Sequence, residues 1–185
     1  MPALSRTDVI LSALLGLALV LLLGAFFTRP EFFDWAFARH QNTLSWALRP
    51  LLLAPMLLAA WSRRLWGILA ALLALFTSMF WFPVPVQPDP QVIRFLAMER
   101  ALLSSWSLSS ALGLAAALVY LALVNAAFWR RSWRMGLSVV ILGGLGKALW
   151  SLVFSPDGGR AVLGFALIGT GAVAALIWLA LRRRG

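Results

Sequence analysis

The chain has 185 residues, 62% hydrophobic and 12% charged, with a mean hydropathy of +0.90. A water-soluble domain carries roughly 45–50% apolar and 25% charged residues, so this composition excludes one and indicates a membrane protein. The absence of cysteine excludes disulfides, thiol redox chemistry and thiolate metal sites, and the single histidine, His40, is too little for a zinc site.

The net charge of +10 does not point to nucleic acid, because the basic residues fall in short clusters between apolar runs and no soluble domain is left to carry a basic face. Fifteen of the sixteen basic residues are arginine, a bias that fits a GC-rich bacterial genome and makes Lys147 the exception.

A helix needs about 20 apolar residues at 1.5 Å each to cross a bilayer. Uncharged runs of that length occur at 9–27, 65–83, 107–129 and 161–181, and two more, 43–61 and 135–154, contain Arg49 and Lys147. The expected fold is therefore all-α, a single polytopic domain of six transmembrane helices. The first run is long and has no Ala-x-Ala cleavage pattern, which predicts a retained signal anchor.

Six spans put both termini on one side, with Arg6, Arg63, Arg64, Arg130, Arg131, Arg134 and Arg182 to Arg184. The other side carries Arg29, Arg39, Arg94, Arg100 and Arg160 together with Glu31, Asp34, Asp89, Glu99 and Asp157. The positive-inside rule then predicts cytoplasmic termini in a bacterial inner membrane. Trp35, Trp46, Trp81 and Trp106 at the outer boundary, and Trp61, Trp66, Trp129, Trp133 and Trp178 at the inner one, form the expected aromatic belts.

Between the first two spans, Thr28-Arg29-Pro30-Glu31 has capping-box spacing with a first-turn proline and predicts an amphipathic outer helix over about 29–42. Phe33, Ala36, Phe37, His40 and Leu44 form its apolar face, and Glu31, Asp34, Ala38 and Gln41 its polar one. After the third span, Pro83, Pro85, Pro88 and Pro90 impose an extended stretch, and Asp89-Pro90 predicts the N-cap of a second outer helix over about 90–105. Its stripe of Val92, Phe95, Leu96, Leu102, Leu103 and Trp106 includes Glu99 where another apolar residue belongs, so Glu99 calls for a partner.

Pro30 to Trp46 and Pro90 to Trp106 have the same spacing, which raises an internal duplication with a period of 60 residues. The rest of the two halves does not align, and the question stays open.

Arg49 lies roughly 9 Å and Lys147 roughly 10 Å below the outer boundary, at 1.5 Å per residue. Ionisable groups at that depth snorkel, pair with an acid such as Glu99 or Asp34, or line a ligand cavity. Pro50 predicts a helix break at Arg49, and Arg39, Asn42, Trp46 and Arg49 would share one stripe of a helix running in from the outer loop. Broken helices of this kind line substrate cavities in transporters.

The candidate ligand site is therefore Arg49, Lys147, Glu99, His40, Asn42, Arg39 and Trp46, a pocket suited to an anionic small molecule or lipid headgroup. Asn125, near the inner end of the fourth span, is expected to form an interhelical hydrogen bond.

Gly143-Gly144-Leu145-Gly146-Lys147 is not a phosphate loop, since Ile141 and Ala148 stand where glycine and Ser or Thr are required. Ser45 is close to His40 in sequence, but no nucleophile elbow or catalytic carboxylate accompanies the pair, so no enzyme is expected and no cofactor. In size and expected topology the chain is similar to the substrate-binding membrane subunits of bacterial energy-coupling-factor vitamin transporters. Residues 9–27 lack the Ala-x-x-x-Ala docking pattern of those subunits, and no residue role is carried over. Three readings remain, in falling order of support: a small-molecule binding or transport protein, an accessory subunit that pairs with a partner in a larger membrane complex, and an intramembrane enzyme.

Overall fold

The computed structural model describes residues 5–105, 107–154 and 159–182. Trp106, Asp157, Arg183 and Arg184, assigned above to belts and charge clusters, lie outside them. The described residues form eight α-helices and no strand: α1 Arg6–Thr28, α2 Pro30–His40, α3 Thr43–Trp61, α4 Leu65–Thr77, α5 Pro90–Ser104, α6 Leu108–Trp129, α7 Trp133–Phe154 and α8 Gly159–Arg182. Four of them, α1, α3, α6 and α7, are long and apolar enough to cross a membrane. In water α1 would be untenable, because this helix, almost entirely apolar after its first turn, buries none of its residues against the protein. These features are those of a multi-pass membrane protein.

The capping box expected at Thr28–Glu31 does not form: Arg29 is the N-cap of α2 without a side-chain bond, because the Thr28 hydroxyl donates back to Gly24 O. A capping box closes instead between Ser5 and Asp8 at the start of α1. Asp89 caps α5 through the Gln91 N–H, with Pro90 at the first position. The third apolar run is shorter as helix than expected. α4 stops at Thr77, where the Thr77 hydroxyl bonds the Leu73 carbonyl and that of Ser78 the Leu75 carbonyl, and a 3₁₀ turn continues to Phe80. Hydroxyls that occupy carbonyls of the last turn, followed by Pro83 and Pro85, leave the helix no continuation.

α3 is the central element and packs on α4, α6 and α8; α7 pairs with α6 and α8, and α1 packs on α4. One apolar cluster, including Met56, Leu57, Ala60, Ile68, Val124, Phe128 and Val173, fills the half of the bundle nearer the α3–α4 turn. A second, at the opposite end, joins Ala36, Phe37, Trp46, Met79, Val92, Phe95 and Leu96. Thus α2 and α5 turn their apolar faces into the protein and roof that end. Asn125 donates to Leu121 of its own helix, 2.8 Å away, and reaches across to α3 only through a 3.6 Å contact with the Met56 sulfur.

The helix expected over 29–42 does not run on into the membrane. It ends at His40, and Asn42 starts α3 as a new N-cap, accepting from the Leu44 N–H at 3.1 Å. Leu44 is consequently exposed and does not join the apolar face of α2. Nor is there a break at Arg49, since α3 is continuous through Pro50 and Pro55. The Pro50 ring is received by α8 at Gly169, where an added Cβ would come within 2.3 Å of the Pro50 Cγ. Gly169→Ala is therefore expected to destabilise the α3–α8 contact by about 1–3 kcal/mol, as overpacking does, measured as a lower thermal midpoint in detergent.

The α3–α4 and α6–α7 turns have the same construction. Arg64 N–H bonds Ala59 O and Arg63 N–H bonds Ala60 O; Ser132 N–H bonds Ala127 O and Arg131 N–H bonds Phe128 O. These are paired Schellman closures, and the residue glycine usually supplies is Arg63 (φ 56°) in one and Arg131 (φ 58°) in the other. A left-handed non-glycine residue costs roughly 1–2 kcal/mol.

Candidate functional site

The corner between α2 and α3 is held by buried polar groups. The Ser45 hydroxyl donates to the Asn42 carbonyl at 2.8 Å, and His40 Nδ1 lies 2.9 Å from the Ser45 Oγ. Since the hydroxyl has one proton, already directed at the carbonyl, the network assigns the Nδ1 proton to His40, which donates to Ser45. Trp46 Nε1 donates to the His40 carbonyl at 2.9 Å.

His40 is 4% exposed and Ser45 fully buried. Burial, reinforced by the positive charges of Arg49 and Lys147, pushes the His40 pKa down to about 2, so the ring is neutral. In that tautomer the ring donates to Ser45 and holds the corner closed. Trp46 belongs to this core and not to a lipid-facing belt.

One turn deeper the charges gather. Lys147 Nζ on α7 lies 3.0 Å from Glu99 Oε1 on α5, the pairing that the misplaced acid in the apolar stripe required. Phe95, one turn before Glu99, lies under the same ammonium with its centroid 5.1 Å away, and packs edge-on against Trp46 at 5.5 Å. The Phe95 and Glu99 side chains share a face of α5, so one helix supplies Lys147 with both a counter-charge and an aromatic platform.

Arg49 on α3 is within electrostatic reach of Glu99, yet makes no hydrogen bond among the described residues, and its Nε is buried. The centre thus holds two cations, one carboxylate and a neutral imidazole, leaving a formal excess of one positive charge.

Arg39 and Asn42 point elsewhere. Arg39 Nε donates to Phe80 O at 2.8 Å and Asn42 Nδ2 to Pro83 O at 3.1 Å, which moors the non-helical segment after α4 to the α2–α3 corner. Their separation from the charged centre follows from the helix break at Gln41 and Asn42, which removes them from the stripe of Trp46 and Arg49. Asp34 is not a partner of Lys147 or Arg49 either. It pairs with Arg100, whose guanidinium also lies 5.6 Å from the Phe33 ring.

The Arg100–Asp34 pair borders a cleft of about 220 Å³ between α2 and α5, lined by Phe37, Ala38, Gln41, Ile93, Leu96 and Ala97 besides the pair itself. Sequence reasoning missed Phe95 as the platform of Lys147 and Arg100 as the partner of Asp34. The signal for the first was available in its four-residue spacing to Glu99; the second joins two surface helices and had none.

Searches against protein-family models, curated proteins and solved structures found no match to this chain.

Proposed function

We propose that this is a six-span inner-membrane protein with cytoplasmic termini that binds an anionic small molecule or lipid headgroup in the outer half of the bilayer, as a binding or transport protein. The observation that carries the reading is Arg49, a half-buried cation whose buried Nε has no hydrogen-bond partner among the described residues, beside a Lys147–Glu99 pair that neutralises only one of the two cations. An unpaired charge in a span is expensive, and a carboxylate or phosphate would supply both the missing acceptor and the missing charge. Glu99 is then the resting counter-ion of Lys147, displaced when an anion enters. In this reading α4, its 3₁₀ turn and Trp81 complete the third crossing, and α2 and α5 cover the site from outside.

Native mass spectrometry of protein extracted gently from its own membrane tests this. Wild type is expected to retain an anionic small mass that Lys147→Ala loses while still inserting and purifying. Unchanged retention in Lys147→Ala would remove Lys147 from the site. A wild type that carries a stoichiometric second protein and no small molecule would favour the accessory-subunit reading.

A further inference from the structure

The opposite end of the bundle carries a second, independent feature. Arg63, Arg64, Arg130, Arg131 and Arg134 are all exposed there, on two turns that the Arg63 Nε to Trp129 O hydrogen bond, 3.2 Å, ties together. Asp8 is the acid nearest them; it lies in the field of Arg64, and Ser5 already bonds its carboxylate. Arg63, Arg130, Arg131 and Arg134 make no ion pair among the described residues.

Topology alone does not explain this arrangement. The positive-inside rule asks for basic residues near a turn, not at the one position of each turn where glycine is free and an L side chain is strained. Both turns nevertheless place arginine there, at Arg63 and Arg131. Backbone strain repeated at equivalent places points to what the side chain does.

The bond to Trp129 uses Arg63 Nε and leaves its two Nη nitrogens unengaged among the described residues, the fork that grips a phosphate with two parallel bonds. Beside it, α4 begins at Leu65 without a side-chain cap, so backbone N–H groups of its first turn add donors. Arg64 lies over Trp66 at 6.0 Å and Arg134 over Trp133 at 5.5 Å, which sets the guanidinium groups at the level where indoles meet headgroups.

We propose that these paired turns form a binding site for the phosphodiester headgroup of an anionic phospholipid, with Arg63 and Arg131 as its principal contacts and Arg64, Arg130 and Arg134 around them. The site is separate from the one proposed around Arg49 and Lys147 and does not depend on it.

Glycine at both positions relieves the strain and removes the charge, so the variant that tests the site is not expected to fail to fold. The purified full-length chain, stripped of lipid, is titrated with phosphatidylglycerol or phosphatidylcholine of the same acyl chains and followed by native mass spectrometry. Wild type should prefer phosphatidylglycerol by roughly tenfold or more, since each basic group near an anionic surface contributes about fivefold. Arg63→Gly/Arg131→Gly should lose most of that preference with an equal or higher thermal midpoint, and Arg63→Asn/Arg131→Asn, which also tolerates the left-handed backbone, should match it. Arg100→Gln, at the far end, should keep the preference. Equal binding of the two lipids by wild type, full retention in the glycine variant, or displacement of the lipid by millimolar inorganic phosphate would each overturn the assignment.

Discussion

Arg49→Met should yield a protein that is more stable than wild type and does not retain the anion. The guanidinium carries a full charge inside α3, its Nε is buried, and no described group bonds it. An unsatisfied buried polar group costs about 1–3 kcal/mol, and a charged one more. Replacing this half-buried, unpaired ion by an apolar side chain of similar length therefore stabilises, by an expected 1–3 kcal/mol or so. In a chain of this size that corresponds to a rise of roughly 2–12 °C in thermal midpoint, at about 2–4 °C per kcal/mol. Thermal unfolding in detergent measures the first half of the expectation and native mass spectrometry the second. A lower midpoint would mean that Arg49 supports the bundle through its own contacts, and the case for an anion site would lose its main support.

Acid should destabilise the protein from about pH 6.5 downward, through His40. The folded-state pKa is depressed from 6.5 to about 2, by burial first and then by Arg49 and Lys147. Between those values the unfolded chain binds a proton that the folded chain refuses, so the stabilising contribution is complete above pH 6.5 and is lost progressively as pH falls. The slope approaches about 1.4 kcal/mol per pH unit, which makes the protein roughly 2 kcal/mol less stable at pH 5 than at pH 7.5. His40→Asn keeps a neutral N–H donor for Ser45 and should flatten the profile between pH 5 and 7. An identical slope in that variant would assign the acid sensitivity to another group. A bound anion would offset the positive field at His40, so saturating ligand should lessen the loss.

The ionic centre was legible because it broke a pattern. Glu99 interrupts the apolar stripe of α5 and Lys147 that of α7, and neither helix could bury its charge alone, so the demand for a partner was visible before the contact at 3.0 Å. The α2–α3 corner was misread because Arg39, Asn42, Trp46 and Arg49 keep helical spacing across it. Periodicity does not register a break of two residues, although Asn42 before Thr43 was itself an N-cap signal.

Pro50 was overread for the complementary reason. Its effect on α3 depends on what faces the ring, and the answer, Gly169, is more than a hundred residues away. The left-handed arginines were beyond sequence reasoning altogether, because nothing in Ser62-Arg63-Arg64 or Arg130-Arg131-Ser132 specifies that backbone.

Glu99 and Arg100 are consecutive, and in a helix consecutive side chains point about 100° apart. One reaches Lys147 on α7 and the other Asp34 on α2, with opposite signs of charge. The roof over the charged centre is thus tied down on two sides at once, and any rotation of α5 about its axis works against both ties together.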